Sequence, residues 1–322
     1  MAVVKDKTSA EPALRYIGKE PWHKDIKRNW LLYILFIPVA VYFITFNYVP
    51  MVGVIMAFQD FSFARGLFGS RFVGLANFAD LFTGSSFGLV MRNTIAMATL
   101  NLTLGFVAPI ILALIISEMP FKRYRRAIQT ISYMPYFVAA VVVTQLVREL
   151  LGVNGGVTLL LSVFGLEAQN WVANPNVPVF WLINTFTDIW QGAGFGTIVY
   201  IAAIYNISGD LHEAASIDGA GRWRRLTSIT LPSIFPMITI FFALRIGLVF
   251  VVGFDKILLL YMPTTYATAD VLTTYTFRMA FGAGGGNFGL AAASGLFQSV
   301  VGTFLLIFSN WLNGRLTKNS LF

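Results

Sequence analysis

The sequence predicts an all-α integral membrane protein with six transmembrane helices, and three observations carry that reading. Hydrophobic residues make up 57% of the chain and charged residues 12%, about half the roughly 25% charged share of a soluble globular domain. The apolar residues gather into stretches of about twenty, the length that crosses a hydrocarbon core of about 30 Å. Basic residues crowd into alternate loops, as they do where one side of a membrane retains positive charge. Composition also excludes several classes of function. With no cysteine in the chain, disulfides, thiol catalysis and cysteine-based metal sites are ruled out. His23 and His212 stand far apart in sequence and make no metal cluster. The net charge of +8 says less about a nucleic-acid partner than the location of the charges does.

Residues 1–29 form a polar tail with seven Lys/Arg and four Asp/Glu. Mixed charge and the lack of a small-residue cleavage site set it apart from a secretory signal. It is either a partly disordered tail or one that ends in a helix on the membrane surface. Trp22 and Trp30 bracket the start of the first span, as interfacial aromatics do. That span is expected at about 30–48, long or broken near Pro50. The stretch 59–92 is mixed and aromatic, with Phe72-Val73-Gly74-Leu75-Ala76-Asn77-Phe78 reading as a small packed element.

The second span is expected at about 93–117, followed by a basic loop holding Lys122, Arg123, Arg125 and Arg126. The third is expected at about 128–147 with Pro135 early in it. Asn154-Gly155-Gly156 and Asn174-Pro175-Asn176 are turn signals in the loop that follows. The fourth, about 178–207, is long enough to tilt or to break near Gln191-Gly192-Ala193-Gly194. The fifth lies at about 233–254 and the sixth at about 290–311, leaving 312–322 as a C-terminal tail. Gly192-Ala193-Gly194-Phe195-Gly196 lacks dinucleotide-fingerprint spacing and a preceding strand, so it reads as close packing or a helix break. Gly282 to Gly286 reads as a flexible turn.

The tail, the 117–128 loop, the 210–232 segment and the C-terminus together carry sixteen Lys/Arg, against six in the three other loops. This bias predicts cytoplasmic termini and a cytoplasmic 210–232 segment. That segment is a polar island between apolar stretches. Asp210 followed by Glu213 fits a helix start with a capping side chain and an N3 carboxylate. Gly219 fits a left-handed end to the helix. A two-turn surface helix is not stable by propensity alone and must pack on its own membrane domain or dock into something else.

Glu213-Ala214-Ala215, three residues, Gly219, nine residues, Ile229, one residue and Leu231-Pro232 together resemble the EAA motif of ATP-binding-cassette (ABC) importer permeases, at every fixed position and in the loop before the penultimate span. The resemblance implies a type I, MetI-like permease fold and a cytoplasmic coupling helix that docks on an ATPase subunit. In that role Ala214 and Ala215 permit close helix approach, Glu213 offers a carboxylate to a basic groove, and Gly219 turns the chain beside Asp218. Arg222, Arg224 and Arg225 would meet either acidic groups on the ATPase or anionic lipid headgroups. The chain has no GxxxxGK[ST] phosphate loop, so it performs no ATPase chemistry of its own. ATP and Mg would be bound by two partner ATPase subunits, and the chain itself is expected to hold no cofactor. A second permease, giving a heterodimer, and an extracytoplasmic solute-binding protein complete the implied assembly in a bacterial inner membrane.

Phe72 to Phe78, Asn93-Thr94, Tyr133-Met134-Pro135, Gly253-Phe254-Asp255-Lys256, Ala269-Asp270-Val271 with Thr274-Tyr275, and Arg278 are similar to segments of sugar-importer permeases. This likeness points to the branch that handles complex oligosaccharides, including acidic ones of the alginate type. For substrate contact the candidates are Arg245 in the fifth span and Asn184, Asp188, Trp190, Gln191 and Tyr200 in the fourth. A charge inside a span is costly unless it faces a cavity or a partner. Arg245 therefore lines the pathway or pairs with a neighbouring helix, for example at Asp188. A carbohydrate pocket commonly combines polar and aromatic groups such as these, yet the same residues also serve helix packing. An ABC permease for another solute is the nearest alternative. An ion-coupled secondary transporter is a further one, though it would be expected to show acidic relays or an internal repeat, and a membrane scaffold would need no coupling motif.

Overall fold

The structure is a computed structural model that describes residues 22–251, 253–282 and 286–317. Most of the N-terminal tail, the C-terminal residues 318–322 and the middle of the glycine run at 283–285 lie outside the described residues. The chain forms two compact units, one up to Gly53 and one from Val54 onward.

The first unit is helical throughout its described part. Helix α1 (Trp22–Arg28) ends at Asn29, and α2 (Trp30–Phe43) follows at once. Asp25 accepts hydrogen bonds from the Tyr33 hydroxyl at 2.8 Å and from Asn29 at 2.7 Å. These bonds, the Tyr33 one foremost, hold its carboxyl below the usual carboxylate range. A π turn (Ile44–Tyr48) leads into α3 (Val49–Met51), so the apolar helix passes through Pro50 instead of breaking there.

The second unit opens with a short antiparallel pair, β1 (Gln59–Asp60) and β2 (Arg71–Phe72), in the register Gln59↔Phe72 and Asp60↔Arg71. Helix α4 (Gly66–Gly69) lies between the strands and α5 (Ala76–Thr83) follows them. Buried Asn77 on α5 donates to the carbonyls of Ala57 and Gln59 at 3.0 and 2.9 Å, which makes the Phe72–Phe78 stretch the packed element its composition suggests.

The second span runs as α6 (Phe87–Leu100), a π turn (Asn101–Gly105) and α7 (Phe106–Ser117). Helix α8 (Lys122–Tyr133) is amphipathic, and a 3₁₀ turn over Met134–Phe137 separates it from α9 (Ala140–Leu151) and α10 (Gly156–Val163). The apolar segment long enough to cross a membrane here is Ala140–Val163, later than the expected 128–147. The displacement has a local cause: Pro135 offers no backbone N–H and disfavours helix at the residue before it. Next comes α11 (Val179–Tyr205), continuous over 27 residues.

Helix α12 (Gly209–Ile217) is followed by α13 (Arg222–Arg225), a π turn (Leu226–Thr230) and α14 (Leu231–Gly247). The fifth apolar helix therefore starts at Arg222 and stops at Gly247, not at 233 and 254. After it come α15 (Phe254–Leu260), α16 (Tyr266–Ala269), α17 (Leu272–Phe281) and α18 (Phe288–Thr317). Among the described residues, five segments are both long and apolar enough to span a membrane. Helix α11 is the sixth of that length, and Asn184, Asp188 and Gln191 interrupt its apolar character.

The three π turns among the described residues share a cause. Each contains the residue four positions before a proline: Phe46 before Pro50, Gly105 before Pro109, and Ser228 before Pro232. Proline leaves that carbonyl without its helical N–H and crowds it with the ring, and a local widening of the turn relieves both.

Three apolar clusters hold the second unit together. Leu81, Val90, Leu272, Tyr275 and Leu290 join α5, α6, α17 and α18. Met97, Phe180, Ile257 and Leu260 are part of a cluster joining α6, α11 and α15. Ile110, Ala113, Ile116, Tyr200 and Ile201 join α7 to α11. Within the Gly192–Gly196 run only packing applies, since α11 does not break. A Cβ added at Gly194 would overlap the Ser132 carbonyl, while at Gly192 it would meet nothing within 4 Å. Gly194→Ala is therefore expected to destabilise the detergent-purified protein by about 1–3 kcal/mol through overpacking, and Gly192→Ala to leave its thermal unfolding unchanged or slightly raised. Equal midpoints for the two variants would remove the close-approach argument.

Candidate functional site

On α11, Asn184, Asp188 and Gln191 recur at helical spacing and so share one face. Asp188 is the centre of what that face organises. Its Oδ1 pairs with the Lys256 ammonium. Its Oδ2 accepts from Asn101 Nδ2 at 3.2 Å and from Asn184 Nδ2 at 3.3 Å. Asn101 turns its other amide atom, Oδ1, to the Arg245 guanidinium. Gln191 reaches the Val138 carbonyl at 2.9 Å, just beyond the 3₁₀ turn that precedes α9.

Local folding puts each partner in place. Asn101 is the first residue of the π turn in the second span, and such turns often mark functional positions. Arg245 stands in the last turn of α14, not midway through its span, where a cation complements the helix C-terminus. Lys256 sits in the first turn of α15, just after the non-helical segment that ends at Gly253. Its ammonium stem thereby enters among the spans instead of belonging to a loop. Arg245 meets Asp188 through an amide, while Lys256 takes the direct ion pair.

This network lines a cavity of about 340 Å³ bounded by Asn101, Asp188, Arg245, Lys256, Leu248 and Gly253 among others. A second cavity of about 370 Å³ shares Asn101, Asp188 and Arg245 and adds the aromatic rings of Tyr136, Phe195, Tyr200 and Phe241. A third, also about 370 Å³, carries Gln191 and Asp255 beside Asp188 and Lys256. In the first, two cations face one carboxylate, leaving a net positive wall. The structure thus brings together Asn184, Asp188, Gln191, Tyr200 and Arg245. It places Trp190 elsewhere, in an apolar hollow with Leu146, Leu150 and Phe186. Asn101 and Lys256 are the members that hydropathy concealed. Asn101 lies in an apolar stretch, and Lys256 counts as a loop charge.

The segments that resemble sugar-importer permeases around residue 270 form a separate buried cluster. Asp270 pairs with Arg278 and accepts from Thr274 Oγ1 at 2.7 Å. The Arg278 guanidinium lies over the Tyr275 and Tyr266 rings at 5.5 and 5.7 Å. Burial pushes the Tyr275 phenol above its ordinary value. Asn93, fully buried, donates to the carbonyls of Ala267 and Asp270 at 3.2 and 3.0 Å. Thr94 accepts from the Leu272 N–H at 2.9 Å. These groups clamp α16 and α17 onto α6.

The 210–232 island folds as α12, a turn and α13. Ser208, not Asp210, is the N-cap: its hydroxyl accepts from the Asp210 N–H at 3.3 Å, and the helix begins two residues earlier than the Asp210–Glu213 spacing suggests. Its C-terminus is as expected. Gly219 has φ +76°, with Ala220 N–H bonded to Ala215 O at 2.8 Å and Gly219 N–H to Ser216 O at 3.1 Å, the bond pair of a Schellman cap. Glu213, Ala214, Asp218, Gly219 and Arg222 are exposed, and Ala215 is half-buried. Ile217 and Trp223 beside these residues are 87% and 77% exposed, so the turn carries apolar as well as charged surface.

Comparison with known proteins matches this architecture. Residues 105–318 fit the family described as "Binding-protein-dependent transport system inner membrane component". The chain is 37% identical, over 90% of each protein, to the polygalacturonan/rhamnogalacturonan transport system permease protein YteP of Bacillus subtilis (strain 168). It is 41% identical to a chain in the crystal structure of a bacterial ABC transporter involved in the import of the acidic polysaccharide alginate, with a TM-score of 0.84 over 92% of this chain and 100% of that one. A second structure, of bacterial alginate ABC transporter in complex with alginate pentasaccharide-bound periplasmic protein, contains a chain 40% identical with a TM-score of 0.84, covering 94% and 100%. Family match, identity over nearly the whole length and shared fold agree: the chain belongs to the binding-protein-dependent inner-membrane components, the permease subunits of ABC importers.

Proposed function

We propose that this chain forms half of the translocation pathway of an ATP-driven importer for an acidic oligosaccharide. The observation that carries the cargo is the cavity centred on Asp188, in which Arg245 and Lys256 outnumber the single carboxylate. A charge among apolar spans is costly and calls for an anion or an aqueous cavity, and aromatic rings in the adjoining cavity suit sugar faces. The likeness to permeases whose transporters handle alginate and polygalacturonan supports the same class of cargo.

In this reading a second, different permease closes the pathway, two ATPase subunits dock beneath, and a solute-binding protein delivers the sugar. The exposed helix α12 is the docking element, with Glu213, Ala214, Ala215, Asp218, Gly219 and Arg222 at the contact. Ile217 and Trp223 supply apolar surface there. ATP-driven closure of the ATPases moves α12 and opens the cavity to the binding protein, and hydrolysis resets it. The basic bias of the tail, the first turns of α8 and the α12–α13 segment supports a cytoplasmic location of both termini and of α12 in a bacterial cell.

Three measurements test this reading. The chain has no cysteine, so Ser216→Cys in α12 gives a single reporter. It is expected to react with a membrane-impermeant maleimide in inverted vesicles and not in right-side-out cells, and the reverse pattern would refute the orientation. Glu213→Ala is expected to cut ATP-driven uptake in proteoliposomes at least about tenfold and to weaken ATPase co-purification, as losing one charge-assisted contact does. Undiminished uptake and docking would sink the coupling role. Arg245→Ala is expected to slow uptake of an acidic oligosaccharide about tenfold or more relative to its neutral ester, while equal loss for both sugars would make the arginine a packing residue.

A further inference from the structure

We propose that Asp188 is an internal stand-in for the carboxylate of the transported sugar, and that Lys256 is the cation it gives up when the sugar arrives. The proposal rests on the reading of the chain as a permease for an acidic oligosaccharide and adds the device by which one of its two cations is held by an internal carboxylate until the sugar arrives.

The division of labour at Asp188 is the first support. Oδ1 meets Lys256, while Oδ2 is held by two amides, Asn101 at 3.2 Å and Asn184 at 3.3 Å. Withdrawal of Lys256 leaves Asp188 with both amide donors, so exchange strands no buried charge without hydrogen bonds. The second support is the inequality of the two cations. Arg245 is exposed to the cavity and bonded to a neutral amide oxygen of Asn101. Its planar fork is suited to a bidentate carboxylate. Lys256 carries its charge on a flexible stem, and its side chain and that of Asp188 are 16% and 15% exposed, so the pair is in contact with the cavity and not sealed from it.

The third support is the setting of Lys256. It follows directly on Gly253, where a Cβ would stand 3.8 Å from Asp188 Oδ2 and 3.9 Å from the Asn184 amide. The chain therefore passes close enough for the ammonium to reach Asp188, and rotation about the flexible lysine stem is enough to turn it elsewhere. The other carboxylate near it, Asp255, is exposed on the adjoining cavity. An incoming carboxylate engages the Arg245 fork, takes Lys256 from Asp188, and brings the local charge to balance. A neutral sugar displaces nothing and finds the pair closed.

The test uses the purified permease–ATPase complex, with equilibrium dialysis against a labelled uronic-acid trisaccharide and its methyl ester. Lys256→Gln is expected to weaken binding of the acid about tenfold to a hundredfold, the range for a lost charged hydrogen bond, and to leave the ester unchanged. Lys256→Arg should restore most of the acid affinity. Asp188→Asn removes the competitor and is expected to tighten the acid several-fold while leaving the ester alone. Weakening of acid and ester alike in Lys256→Gln, or weaker acid binding in Asp188→Asn, overturns the exchange. If Asp188→Asn does not assemble with the ATPases, the Lys256 variants alone decide the matter. Wild-type proteoliposomes that import neither sugar refute the transport reading and the exchange with it. Wild-type import of the acid with no acid-to-ester difference among the Lys256 variants refutes the exchange alone.

Discussion

A carboxylate in the middle of a long apolar helix has to be answered by other polar groups, and that requirement shapes the second unit. Asp188 draws an amide from its own helix, an amide from the second span and an ammonium from the segment after the fifth. Arg245 is then held through Asn101. Each of these groups would be costly alone in an apolar setting. Together they oblige α6, α11, α14 and α15 to converge, and the cavities form where those helices meet. The apolar clusters on either side fill space, but the polar network specifies which helices face each other.

A second polar system ties short helices to the second span, apart from the Asp188 network. Asn93, Thr94, Asp270 and Thr274 are buried and bond to one another or to the backbone of α16 and α17, and Arg278 pairs with Asp270 at the edge. Short helices such as α16 gain little from propensity, and buried hydrogen bonds fix them onto α6. The likeness to other permeases around residue 270 thus coincides with a clamp, while the groups that face the cavities come from α11, α14, α15 and the π turn at Asn101.

Much of this was legible in the sequence because hydropathy and spacing are local. The apolar stretches, the island between the fourth and fifth spans and the left-handed glycine at its end all follow from neighbours a few residues apart. What escaped depended on where helices stop. Residues 248–251 are apolar but not helical, so hydropathy extends the fifth span past Gly247 and leaves Arg245 looking central and Lys256 looking like loop. The third span slipped for the same reason, since Ile128 and Ile131 belong to an amphipathic helix that Pro135 ends. Trp190 was grouped with Asp188 by proximity in sequence. Two residues along a helix is about 200° around it, the far side. Ser208 lost to Asp210 as the cap because Gly209, a poor helix former, stands between them.

Each π turn adds one residue to its helix, and one residue is about 100° of rotation. A single helical wheel drawn through the second span therefore misassigns every position beyond Asn101. Ala98, before the turn, and Asn101 and Leu102, at its start, line the first cavity, while Gly105, Phe106 and Pro109 line the second at or after the turn's end. The same phase shift at Leu226–Thr230 lies between the α13 arginines and α14. Pro232 thus acts as an angular offset written into the chain, setting how α13 faces relative to α14.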